Sequence, residues 1–67
     1  MKNRWIVFKE GPFLALFLKR VSSYRKNIFD FTIIREEAHK YCYESNAVKA
    51  SLASGCKVEK IVENKSN

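Results

Sequence analysis

The apolar residues of this chain arrive in short runs separated by strong breaks, and that limits the fold more than any other feature. Trp5-Ile6-Val7-Phe8 is β-branched and aromatic, and Gly11-Pro12 punctuates its end. This predicts a strand followed by a turn. Ile28-Phe29-Asp30-Phe31-Thr32-Ile33 predicts a second such strand, with Phe29, Phe31 and Ile33 on one face.

The run between them, Phe13 to Leu18, reads two ways. As a helix, Pro12 takes the favoured first position and Phe13, Phe17 and Val21 share a stripe. As a strand, Phe13, Ala15, Phe17 and Val21 line one face, with Lys19 the exception. The shortness of the run, its strand-like neighbours and the Gly11-Pro12 bend favour the strand. Ser22 to Asn27 is then a polar connector, and the two runs it joins predict an antiparallel hairpin with a basic tip.

From about Arg35 to Ser54, Ala38, Tyr41, Cys42, Ser45, Val48 and Leu52 recur at three- and four-residue steps. This predicts one long amphipathic helix packed through that stripe. Thr32 or a neighbour can cap its start, Glu36 and Glu37 complement its dipole, and Glu36 stands four residues before Lys40. Gly55 fits a left-handed C-terminal cap. Cys56 to Val62 predicts a last strand, in which Ile61 breaks alternation as a bulge would.

The expected fold is α+β: a small antiparallel sheet in β-β-β-α-β order with the helix on one face. Residues 1–63 form a single domain and 64–67 a disordered tail. One helix cannot cover both sheet faces, so some of Trp5, Phe8, Leu14, Leu16 and Leu18 should stay exposed and invite a partner or a second copy.

At 67 residues the core is thin, and a preorganised catalytic site is hard to support. Nine aromatics and 46% apolar residues nevertheless argue for a folded chain. Cys42 and Cys56 read as reduced, partly buried thiols, since a small secreted domain usually carries four or more cysteines. A single histidine, His39, and no paired-cysteine motif give no metal site and no cofactor. Lys2 and Arg4 precede an apolar run as in a signal peptide, but the run stops at Lys9-Glu10. The next run is also too short for a bilayer. The expected location is the cytoplasm, with no membrane contact.

No catalytic set stands out. Glu36 and Glu37 point about 100° apart on a helix, and His39 reads as solvent-facing. Charge carries the functional signal. Residues 1–29 hold seven basic side chains against Glu10 alone, whereas residues 30–67 hold six basic and six acidic ones, so the net +6 belongs to the first half. Such a field steers an acidic partner. Lys19, Arg20, Tyr24, Arg25 and Lys26 form the candidate partner-binding tip. Tyr43 joins them as an aromatic opposite the helix stripe, on a flank with His39, Ala47 and Ala50 that would let another surface approach.

The strand Phe29-Asp30-Phe31-Thr32-Ile33-Ile34 leads into Arg35-Glu36-Glu37 and a long helix. In this the chain resembles small phage-encoded antagonist proteins, among them antitoxins that block RNase toxins. The resemblance covers element order and a loose Thr-apolar-apolar-basic-acid-acid string over roughly half the chain. It implies a protein target and carries no functional residue across. Three functions stand open: an inhibitor or adaptor docking on an acidic protein surface, a nucleic-acid binder on the phosphate backbone, and a homo-oligomer joined through the uncovered sheet face.

Overall fold

A computed structural model describes residues 2–23, 25–26 and 28–63. The candidate Tyr24 and the expected tail 64–67 lie outside the described residues. The fold is α+β, with β1 Lys2–Glu10, β2 Ala15–Ser23, β3 Ile28–Thr32, a 3-10 turn Arg35–Glu37, α1 Glu44–Ser54 and β4 Lys57–Glu63. The four strands form one antiparallel sheet in the order β3-β2-β1-β4.

Residues 15–23 take the strand reading, and Gly11 makes the bend that precedes them. Its N–H donates to Leu14 O at 2.9 Å, and a Cβ there would sit 2.7 Å from that oxygen. Phe13 belongs to this turn rather than to the sheet and is 96% exposed. β2 runs on through Ser22 and Ser23, so the polar connector is shorter than its composition suggests. The expected Phe13–Ala15–Phe17–Val21 face does not form. The β2–β3 register shifts between Leu18 and Arg20, and again between Val21 and Ser23. An extra residue in one strand flips every later side chain. Ala15 and Phe17 therefore face one way, while Val21 joins Leu18 on the other.

The largest correction concerns the helix. α1 has 11 residues and starts at Glu44, not near Arg35. β1 and β2 are paired only from Phe8↔Phe17 to Glu10↔Ala15, and beyond that the chain after β3 fills the space between them. There His39 N–H donates to Leu18 O at 3.0 Å. Trp5 and Tyr41 exchange both main-chain bonds, at 3.0 and 2.8 Å. These bonds hold 39–41 extended, and a helix there would forfeit them. Thr32 caps no helix, since the 3-10 turn and α1 both start without a side-chain cap; its hydroxyl instead accepts the Ile34 N–H at 3.1 Å and donates to Glu37 at 3.2 Å. The expected Glu36–Lys40 pair gives way to Lys40–Glu63 at 3.6 Å.

That crossing segment also covers the face expected to be bare. Ala38 is buried with Ile6 and Phe17, flanked by Phe8, Ala15 and Ile61. Three residues on, Tyr41 packs on the opposite core of Val7, Leu18, Ala47 and Ala50. The chain thus passes from one sheet face to the other between β1 and β2. Leu18 is fully buried and Trp5, Phe8 and Leu16 are half-buried. Of the five residues expected to seek a partner, Leu14 alone is exposed.

α1 faces the sheet through Ala47, Ala50 and Ser51, not through Val48 and Leu52. Small side chains let the helix approach closely, and Ser51 and Ser54 return their hydroxyls to Val48 O and Ala50 O. Leu52 is 78% exposed. Gly55 ends the helix at φ +70°, the left-handed geometry that favours glycine. β4 keeps an unbroken register with β1, so Ile61 marks no bulge and simply faces Ile6's side. Both cysteines are free thiols, with Cys56 half-buried and Cys42 exposed rather than partly buried.

Arg35 ties the crossing segment to β4. Its two terminal nitrogens reach the two carboxylate oxygens of Glu59 at 3.0 and 2.7 Å, and its guanidinium lies 6.0 Å from the Phe17 ring centre. The hydrogen bond to Arg35 holds the Glu59 carboxyl below its usual range, and the same bond raises Arg35. A carboxylate lowered by folding stabilises above its unfolded pKa, and that contribution fades as pH falls through the folded value. Both side chains are substantially exposed, so Glu59→Gln is expected to cost no more than about 1 kcal/mol at neutral pH. The cost should vanish in acid. Urea melts of both proteins across pH 2–7, a range of roughly five pH units chosen to span carboxylate titration, check the convergence.

Candidate partner-binding hairpin

The β2–β3 hairpin positions the expected basic residues, and the geometry divides them into two sets. At its base, Arg20 sends Nε and a terminal nitrogen to one Asp30 oxygen, each at 2.9 Å, and Ser22 adds a bond to it at 3.4 Å. Lys19 Nζ stands 3.7 Å from Glu37. Both base cations therefore already face a carboxylate. At the tip, Arg25 and Lys26 are exposed in the turn, and among the described residues neither forms an ion pair. The Lys26 N–H donates to Ser23 Oγ at 3.3 Å, which tightens the turn.

Pairing of Arg20 with Asp30 follows from the ladder, which sets the two residues opposite one another across the hairpin. Opposite charges in that position attract. Local composition hid this, because Asp30 sits between Phe29 and Phe31 and reads there as one polar step in an apolar strand.

Tyr43 is exposed, as expected, but not beside the hairpin. It is the N-cap residue of α1, which packs mainly on β1 and β4. The expected flank of His39, Tyr43, Ala47 and Ala50 dissolves too, since Ala47 and Ala50 are fully buried against the sheet. His39 is exposed and meets Tyr41 edge-on at 4.5 Å between ring centres.

Two hairpin residues were missed as surface. Ile28 and Phe31 are both exposed, and so is Ile33, so the expected face of Phe29, Phe31 and Ile33 is not buried as a unit. Only Phe29 of those three packs inward. β3 is an edge strand that ends at Thr32, so its outer positions have no layer above them. Phe31 borders a shallow groove of about 600 Å³ with Lys19, Arg20, Asp30 and His39. At the turn stand cations that form no ion pair among the described residues, and the strand after it exposes apolar side chains on both of its faces. No cluster of metal-binding side chains occurs among the described residues, and none of their helices is long and apolar enough to cross a membrane.

Comparison with protein families, with characterised proteins and with solved structures finds no match for this chain.

Proposed function

We propose that this chain is a small non-enzymatic inhibitor or adaptor that docks the tip and outer strand of its β2–β3 hairpin on an acidic protein surface. The carrying observation is the company kept by Arg25 and Lys26. They have no internal acid among the described residues, and the strand that follows them exposes Ile28 on one face and Phe31, further along, on the other. Cations steer the encounter, while buried apolar contacts hold the complex. A phosphate backbone asks for cations without that apolar strand. The free thiols fit a reducing cytoplasm.

Affinity capture with the tagged chain, with and without nuclease, names the partner class. Arg25→Ser combined with Lys26→Ser is then expected to slow association with the captured protein roughly tenfold, with little change in melting temperature. Added salt should reproduce the loss on the parent chain. Lys19→Ser with Arg20→Ser should slow association less, since those charges are already met by Glu37 and Asp30. Capture that disappears with nuclease, with affinity falling linearly in log salt, would establish the nucleic-acid reading instead. For that alternative, the groove of Lys19, Arg20, Phe31 and His39 is the place to look.

A further inference from the structure

The two outer edges of the sheet are unlike. β3 has five residues and meets β2 through two register shifts, which interrupt that edge. β4 has seven residues, contains no proline, and holds its register with β1 from Lys2↔Glu63 to Phe8↔Lys57. Among the described residues no strand pairs with its outer side. A long, regular edge is a template for another strand.

Trp5 fixes which main-chain groups that edge presents. Its N–H and C=O are both bonded to Tyr41, on the side away from β4. Lys60, its partner in the β1–β4 ladder, therefore belongs to a non-hydrogen-bonded pair and turns its own N–H and C=O outward. Alternation turns those of Val58 and Val62 outward as well.

We propose that β4 pairs antiparallel with β4 of a second copy, about a two-fold axis at Lys60, joining two sheets into one of eight strands. Main-chain matching requires the axis to pass through a residue, since outward-facing groups must meet outward-facing groups. An axis at Lys60 pairs the whole strand. It sets Lys57 opposite Glu63 of the second copy twice, and Val58 opposite Val62 twice. An axis at Glu59 would leave Val62 and Glu63 with no strand residue opposite them, and an axis at Ile61 would oppose Glu59 to Glu63 twice. Like charges in that position repel. The chosen register opposes only the two Lys60 side chains, whose long stems can diverge. It also covers Val62, which is 53% exposed in the single chain. The two hairpins then lie at opposite ends of the sheet and point in opposite directions, so a dimer holds two partners apart.

Sedimentation of the full chain over a concentration series tests this. Lys60→Pro removes an outward N–H and no β1–β4 bond, and it is expected to leave a monomer where the parent chain dimerises. Thermal melts show whether the variant folds, and a charge reversal gives an independent arm. Lys57→Glu is expected to raise the dimer dissociation constant roughly tenfold, because two attractions become repulsions. Adding Glu63→Lys to it should restore dimerisation. The proposal is overturned by a parent chain that stays monomeric up to its solubility limit. Glu63 also faces Lys40 and Arg4 within its own chain, so the rescue is read only in a double variant that melts like the parent chain. The proposal is equally overturned by a dimer indifferent to charge reversal, or by failure of that folded double variant to dimerise.

Discussion

Truncating Leu18 to alanine is expected to cost about 2–5 kcal/mol, enough to leave much of this small domain unfolded. Leu18 is 0% exposed and packs with Val7, Ala47 and Ala50, where sheet and helix meet. Its carbonyl also accepts the His39 N–H, so the core is anchored where the chain passes between β1 and β2. Alanine would leave a cavity that neighbours held by main-chain bonds on both sides can only partly fill. Leu52→Ala is the control. Its side chain projects from the outer face of α1, so its loss should lie within about 0.5 kcal/mol. Urea melts of the two variants beside the parent chain measure both. Equal losses would mean that α1 presents Leu52, not Ala47 and Ala50, to the sheet.

Enlarging Ala50 to leucine is expected to destabilise by about 1–3 kcal/mol. Alanine and leucine both favour helix, so intrinsic propensity contributes only a little. The effect comes from packing. Ala50 is fully buried against the core, and a larger side chain must lift α1 or displace Val7 and Leu18. The same change at Ala53, on the exposed side of the helix, should be close to neutral. A chain that accepts leucine at Ala50 without loss of melting temperature would show slack between helix and sheet that the close approach of small residues does not leave.

Together these variants separate what is local from what is not. β1 and β3 were legible because short β-branched and aromatic runs suit a pleated, half-buried surface. The Gly11-Pro12 bend and the Gly55 cap were legible because each depends on a conformation particular to its own residues. The basic turn at Arg25 and Lys26 was legible as a polar break between two apolar runs. The neutralisation of Lys19 and Arg20 was not. Their partners lie on β3 and on the 3-10 turn, and only the folded hairpin with its shifted register brings those acids across.

Sequence alone determined the class of this protein: an α+β domain with strands before and after one helix, and a basic hairpin as its most distinctive surface. Tertiary structure decided where the helix begins and which face it buries. A three- and four-residue period from Ala38 to Leu52 is compatible with one continuous helix, and nothing nearby contradicts it. What cuts that helix short is distant in sequence. Trp5 and Leu18 offer main-chain groups that β1 and β2 no longer satisfy for each other, and His39 and Tyr41 take them up. Side-chain size then overrode hydrophobicity on the helix itself. Contact with a sheet rewards close approach as well as apolar character, so Ala47, Ala50 and Ser51 turn inward and Leu52 faces solvent.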